Sequence, residues 1–253
     1  MSAPLCIWCC KPVVDASVEH IVPDALACPP DFVLRHCVCK SCNNGLGHID
    51  QALLHEFEIM GFTADVPRKG GKKPSVGTWA SVAASHAQGE KQLHLNADKA
   101  PVMVGGKKLA PSNKANGITD VSVKEKDGLT EIKFSQDFGR HPHLVRALYK
   151  VAFGALAFFG GAEQAPSARY DGIRAFVKNG AGSYRALMQC HVGEISHEFG
   201  RPYFPEPGAY EIMAMTILGV SFLVDFDPKQ QGLAQIQARM PAVSEVTWIT
   251  LGA

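Results

Sequence analysis

The sequence predicts an α+β protein in two parts, a short cysteine-rich module held by a metal and a longer α+β domain with an antiparallel sheet and two main helices. Three observations lead to this prediction. Seven of the eight cysteines lie in the first 42 residues, apolar residues recur every four positions soon after them, and short strand-like runs separated by turns follow. We place the module at residues 1–60, a basic linker at 61–75 and the α+β domain at 76–253.

Length and composition exclude several other classes. The chain has 253 residues, of which 46% are hydrophobic and 19% charged, so it is neither disordered nor a coiled coil. The formal net charge is +1, so any contact with nucleic acid must come from local basic patches. The longest apolar runs, 151–162 and 212–224, are shorter than the roughly 18 residues of a membrane-spanning helix. Because no signal peptide is visible either, we expect a cytoplasmic protein with no membrane partner.

Two C-x2-C pairs are the strongest motif in the chain, Cys6 with Cys9 and Cys39 with Cys42. Each pair can fold into a tight knuckle, and together they supply four thiolates for a tetrahedral Zn²⁺ site. Four thiolates leave no open coordination position, so we predict that the zinc is structural. A redox dithiol in the CIWC segment is the alternative, although no βαβ pattern surrounds it. The other early cysteines, Cys10, Cys28 and Cys37, are interpreted as small hydrophobic residues.

The insert between the two pairs carries a strand with two polar residues near its end. Cys9 and Cys39 are separated by 29 residues, more than the roughly 15–20 of a plain zinc ribbon. Residues 18–22 favour a strand, and Pro23 ends it. Glu19 and His20 are adjacent there, so their side chains should leave opposite faces of the strand.

A helix is predicted after the second pair. Asn43 and Asn44 follow Cys42 directly, and then Ile49, Leu53 and Phe57 recur every four residues. This spacing gives a helix one apolar face. The predicted order is therefore knuckle, strand, loop, short strand, knuckle and helix.

In this order, C-x2-C…EHIVPDAL…VCKSCNN-x-LG-x-ID resembles the zinc-knuckle branch of the HNH endonucleases, also called ββα-metal or His-Me finger nucleases. The resemblance covers about residues 6–58. It implies an N-terminal ββα-metal module and metal-dependent hydrolysis of phosphodiester bonds in DNA, by nicking or by double-strand cutting. Restriction, phage defence and mobile-element movement are biological roles that would fit.

The resemblance also implies roles for individual residues. His20 would be the general base, a task that suits an imidazole near neutral pH, and Glu19 and Asn43 would hold a catalytic Mg²⁺ or Mn²⁺. Four further residues are possible accessory groups: His36, Asn44, His48 and Asp50. The chain departs from the family by having Glu before the base where many members have Asp, ALAC where the loop often reads ALGG, and His36 where the middle Asn is expected.

Basic residues are concentrated in two later segments. Residues 61–75 contain four basic residues against one acid, and residues 105–114 contain three and no acid. Such segments suit contacts with phosphates, although a solvated linker would have the same composition. The candidate nucleic-acid-binding residues are Arg68, Lys69, Lys72, Lys73, Lys107 and Lys108.

Alternating and apolar runs predict the elements of the second domain, which we expect to serve target recognition or dimerisation. The expected helices lie at about 142–159 and 169–178. The expected strands lie at 77–84, 91–97, 118–125, 130–135, 184–191, 210–225 and 245–251.

Two other functions remain open for this sequence. One is a non-catalytic, zinc-dependent nucleic-acid-binding protein, and the other is an enzyme that cleaves RNA with the same site. DNA is the partner that we expect, RNA is not excluded, and a homodimer would explain symmetric double-strand cutting.

Overall fold

A computed structural model describes residues 3–57, 60–61, 66, 138–190, 197–200, 211–239 and 248–252, and the backbone of strands between residues 81 and 136. The protein is α+β with antiparallel sheets, which confirms the predicted class. It divides into two compact units, one formed by Met1–Leu54 with Pro142–Ala253 and the other by His55–His141. This division differs from the bounds predicted from the sequence, because the chain returns to the N-terminal module at Pro142.

The N-terminal module contains a small hairpin followed by two helices. Strand β1 (Glu19–His20) pairs antiparallel with β2 (Val33–Leu34), and a 3-10 turn at Asp24–Leu26 lies between them. The helices are α1 (Lys40–Gly45) and α2 (Gly47–Glu56). The predicted single helix is thus wrong in detail, since helical structure begins within the second cysteine pair and is interrupted at Leu46.

The unit His55–His141 contains six of the strands. They form three antiparallel hairpins: β3 (Ser81–His86) with β4 (Gly89–His94), β5 (Val102–Val104) with β6 (Lys107–Leu109), and β7 (Ile118–Lys126) with β8 (Leu129–Gln136). The first hairpin (β3 with β4) and the third (β7 with β8) agree with predicted strands to within a few residues. The segment predicted as a basic loop instead contains β6, in which Lys107, Lys108 and Leu109 pair with the residues of β5.

Helix α3 (Leu144–Gly160) is the central element of the larger unit. Twelve of its seventeen residues are buried, so the helix is covered on nearly all sides. On one side it meets the N-terminal module, where the rings of Phe153 and Trp8 lie 5.2 Å apart. The backbone of Gly154 approaches Ile21 so closely that a Cβ atom at residue 154 would lie 3.3 Å from Ile21 Cγ2.

The other side of α3 is covered by a five-stranded antiparallel sheet and a second helix. The helix is α4 (Asp171–Asn179), and α5 (Gln231–Arg239) follows the sheet hairpin. The strands, β9 (Ala186–Cys190), β10 (Glu198–Phe199), β11 (Ile212–Ile217), β12 (Val220–Asp225) and β13 (Ile249–Leu251), lie in the order β10-β11-β12-β9-β13.

The C-terminal part of the chain differs from the sequence expectations in one strand and in two additional elements. The run predicted as one strand at 210–225 is a hairpin, because Leu218 and Gly219 have φ angles of 47° and 82° and form its turn. Helix α5 and the short strand β10 were not predicted. Among the residues that the structure describes, no helix is long and apolar enough to cross a membrane.

Candidate functional site

The four predicted zinc ligands come together. The sulfur atoms of Cys6, Cys9, Cys39 and Cys42 all lie within 4.8 Å of one another, and those of Cys9 and Cys39 are 3.9 Å apart. Four sulfurs around a zinc ion at about 2.3 Å would lie about 3.8 Å apart, so the spacing suits this metal. The grouping predicted from the two C-x2-C pairs is therefore confirmed, and the cluster could bind a metal such as zinc.

Short backbone hydrogen bonds form the two knuckles. The amide of Cys10 donates to the carbonyl of Cys6 at 2.8 Å, which turns the first pair back on itself. Cys39 caps the N-terminus of α1, and its amide donates to the sulfur of Cys6 across the cluster at 3.5 Å. The first pair thus folds locally, and the hydrogen bond from the Cys39 amide to the Cys6 sulfur joins the two pairs.

The thiols have unequal acidity, as expected for four thiols that share one site. Although burial acts in the opposite direction, hydrogen bonds from Ser41 and Cys42 lower the pKa of Cys39 to about 6. Burial and the neighbouring sulfurs raise the pKa of Cys42 above its ordinary value. Zinc binding requires all four thiolates, so the metal must displace the more tightly held protons.

The other three cysteines of the module lie outside this cluster. The thiols of Cys10 and Cys28 lie near the carbonyl oxygens of Pro166 and Phe32, at 3.7 and 3.3 Å. Cys37 is buried, and this burial raises its pKa to about 11. These contacts agree with their interpretation as small hydrophobic residues. Because both cysteines of CIWC belong to the four-sulfur cluster, their arrangement favours a metal site over a redox dithiol.

Strand β1 presents Glu19 and His20 to opposite faces, as the alternation of a strand requires. Glu19 is paired with Leu34 and is only 3% exposed, whereas His20 is paired with Val33 and is exposed. Two of the three residues to which the resemblance gives a catalytic role thus differ in environment: His20 has access to solvent and Glu19 does not.

Glu19 belongs to a buried ionic cluster that sequence reasoning missed. The ammonium group of Lys150, on α3, forms ion pairs with the carboxylates of Glu19 and Asp50, and its nitrogen lies 2.8 Å from Asp50 Oδ1. Lys150 and Glu19 are almost completely buried, and Asp50 is 24% exposed. Lys150 is the only charged residue between positions 147 and 162, and this isolation in an apolar run was the signal that could have revealed it.

The electrostatics of this cluster follow from burial and attraction. Burial raises the pKa of Glu19, although Lys150 acts against the shift. Burial alone would lower the pKa of Lys150, but the two carboxylates raise it above its ordinary value, so the side chain stays charged. The other Glu19 oxygen, Oε2, is buried and has no hydrogen-bond partner in the described part of the chain.

Asn43 and the accessory candidates lie in different surroundings. The Asn43 amide nitrogen donates to Ser17 Oγ at 2.6 Å and to the Val18 carbonyl at 3.3 Å, so the side chain braces the segment that enters β1. Asn44 and His36 are exposed. His48 is also exposed, and its Nδ1 lies 3.1 Å from the Gly45 carbonyl.

The basic candidates are only partly covered by the structure. Arg68, Lys69, Lys72 and Lys73 lie outside the described residues, and for Lys107 and Lys108 the backbone alone is described, in β6. The nucleic-acid contacts expected of these residues therefore stay predictions.

Comparison with known proteins gives no relative: no family model matches the chain, and no curated protein or solved structure is similar to it.

Proposed function

We propose that the chain is an endonuclease of the HNH type, which hydrolyses phosphodiester bonds in DNA with His20 as general base. The observation that carries this proposal is the exposure of His20 on a strand whose neighbouring residue is buried. Its imidazole can therefore meet a substrate while its backbone is held by the pairing with β2. The zinc expected at those cysteines is structural in this proposal.

The chemistry required of His20 is a single proton transfer. A neutral ring nitrogen accepts a proton from water, and the water oxygen attacks phosphorus. The bond between phosphorus and the leaving oxygen breaks, and this oxygen takes a proton from solvent. A positioned general base contributes about 10²–10⁴ to the rate of such a step. Asn43 supports the geometry by tying α1 to the segment before β1.

The catalytic Mg²⁺ or Mn²⁺ that the resemblance implies fits Glu19 poorly. One oxygen of Glu19 is paired with Lys150, and the other is closed off from solvent. Mg²⁺ keeps several waters and contacts substrate phosphates, so its ligand must reach solvent. We therefore assign no step to a metal held by Glu19. The cleavage assay measures whether the rate depends on Mg²⁺ or Mn²⁺.

Plasmid cleavage tests the proposal directly. Wild type, His20→Ala and His55→Ala are incubated with supercoiled DNA and a matched RNA, after dialysis against Mg²⁺, Mn²⁺ or no added divalent cation. His55 is an exposed histidine of α2 and serves as the matched control. We expect nicked or linear DNA from wild type and His55→Ala, and a rate lower by at least about 10² for His20→Ala. Equal cleavage by wild type and His20→Ala would reject the role of His20.

The burial of Glu19 in an ion pair favours a second candidate, a zinc-dependent nucleic-acid-binding protein without catalysis. That function predicts that wild type and His20→Ala bind DNA equally and that neither cleaves it. Preferential degradation of the matched RNA would favour the RNA-cleaving alternative.

A further inference from the structure

We propose that Glu19 and Asp50 form an internal cation site whose resident cation is the ammonium group of Lys150, so that divalent cations are excluded from Glu19 until Lys150 is removed. This inference concerns cation binding alone and does not depend on the proposed nuclease function.

The contacts of Lys150 occupy the positions that a metal ion would need. Its ammonium nitrogen is ion-paired with Glu19 Oε1 and lies 2.8 Å from Asp50 Oδ1, and these are the carboxylate oxygens that a hard cation prefers. The two acids come from different elements, β1 and α2, so the cation joins the hairpin to the helix. The ammonium group thus holds the module together as a bound metal ion would.

The charges of the cluster show why a cation is required there. Two carboxylates and one ammonium leave a formal charge of −1, and Glu19 and Lys150 are only 3% and 2% exposed. A buried carboxylate without a counter-charge is strongly unfavourable. Glu19 Oε2 still lacks a hydrogen-bond donor among the described residues, so the cluster retains cation-binding capacity that its one ammonium does not use.

The packing of α3 fixes the backbone that carries Lys150. Gly154 lies one helical turn after Lys150 and is in close approach to Ile21, and Phe153 packs on Trp8. On the preceding residue, the Tyr149 hydroxyl lies 2.9 Å from the carbonyl oxygens of both Arg185 and Asp225. The helix is held on both sides, and the Lys150 side chain is only 2% exposed.

Removal of the ammonium group should convert the cluster into a divalent-cation site. Lys150→Met keeps an unbranched stem of similar length and removes only the charged end. The two carboxylates then share a space of ammonium size, which suits oxygen-preferring ions such as Mn²⁺. The zinc-loaded cysteine cluster does not compete, because Mn²⁺ prefers oxygen to thiolate ligands.

The test is a Mn²⁺ titration of the zinc-loaded full chain, followed by electron paramagnetic resonance, for wild type, Lys150→Met and the double variant Glu19→Gln with Lys150→Met. We expect Lys150→Met to gain one site that is at least about tenfold tighter than any site of wild type, and the double variant to lose it. Mn²⁺ should also raise the melting temperature of Lys150→Met and leave that of wild type unchanged.

Two results would overturn the inference. One is a Lys150→Met variant that folds and binds Mn²⁺ no better than wild type. The other is a wild-type site that Glu19→Gln weakens, which would make Glu19 a metal ligand in the presence of Lys150. The single variant Glu19→Gln also keeps the proposal testable if Lys150→Met does not fold. We expect Glu19→Gln to bind Mn²⁺ as wild type does, because Lys150 already excludes the ion from Glu19.

Discussion

The four-cysteine cluster and the Glu19–Lys150–Asp50 cluster are two polar centres of the same module, built in opposite ways. The cysteine cluster draws its four groups from two short sequence motifs in the first 42 residues. The ionic cluster combines two acids of the module with a lysine that lies 131 residues after Glu19. The first centre could bind a metal from outside the chain, whereas the second carries its own cation within the chain.

This difference indicates two separate sources of stability for the N-terminal module. A module as small as residues 3–57 buries little apolar surface of its own, and small domains often add a metal to their stability. Helix α3 provides a second remedy, because it covers the module with apolar side chains and neutralises its buried acids. A zinc ion at the cysteines would thus stabilise the module from a different side than α3 does, and the two contributions can be separated by mutation.

The largest effect is expected from the cysteine cluster. Cys9→Ser should abolish stoichiometric zinc and unfold the module, since structural zinc supplies about 10–16 kcal/mol of apparent binding free energy. Elemental analysis should give about one zinc per chain for wild type, and hydrogen exchange should show lost protection in residues 3–57 of the variant.

The adjacent residue provides the matched control for this prediction. Cys10→Ser changes a thiol that lies outside the four-sulfur cluster, so it should retain zinc and protection. Loss of zinc in both variants, or in neither, would contradict the assignment of ligands.

A smaller effect is expected from the ionic cluster. Lys150→Met leaves the buried Glu19 carboxylate and the partly exposed Asp50 carboxylate without their counter-charge, which should lower the free energy of unfolding by about 3–5 kcal/mol. Urea denaturation measures the change. Lys178→Met, at an exposed lysine of α4, should alter stability by no more than about 0.5 kcal/mol. Equal effects of the two substitutions would show that the buried cluster does not stabilise the module.

The close approach of α3 to β1 gives a third, weaker effect. A Cβ at Gly154 would lie 3.3 Å from Ile21 Cγ2, whereas nothing lies within 4 Å of a Cβ at Gly160 of the same helix. Alanine is favoured over glycine in helices by about 1 kcal/mol, so Gly160→Ala should be neutral or stabilising. Gly154→Ala should be less favourable than Gly160→Ala by about 1 kcal/mol in urea denaturation. Equal values would mean that Ile21 can move without cost.

The smallest effect concerns pH and the loop that joins β1 to β2. The His197 Nε2 donates to the carbonyl of Leu26 in that loop, and burial lowers the His197 pKa below its ordinary value of 6.5. Because the unfolded chain then binds the proton more readily, this contribution to stability is present above pH 6.5 and is lost as the pH falls below it. The stability of His197→Gln should depend less on pH between 5 and 7. An unchanged pH profile would contradict this assignment.

The same contrast between the two centres explains what could be predicted from the sequence. The spacing of Cys6, Cys9, Cys39 and Cys42 was sufficient to predict their cluster, because a knuckle is a local structure. The alternation of a strand was sufficient to predict that Glu19 and His20 would face opposite ways. Both inferences depend on geometry within a few residues of the chain.

The ionic cluster could not be predicted in this way, because it depends on a contact between distant segments. Nothing in the local pattern around Glu19 indicates that a lysine of α3 would reach it, although an isolated lysine in an apolar helix does indicate a buried partner. The two compact units, which join Pro142–Ala253 to the N-terminal residues, depend on contacts of the same kind. Helix α3 was expected to lie in the second domain alone, and it packs both on the N-terminal module and on the five-stranded sheet.

The most direct test of the proposed function is chemical rescue of the base. His20→Gly removes the imidazole and leaves space at an exposed position, so free imidazole can accept the proton in its place. We predict that His20→Gly cleaves plasmid DNA at least about 10² times more slowly than wild type and that added imidazole restores part of this loss. Cleavage by His20→Gly at the wild-type rate would contradict the assignment of His20 as general base.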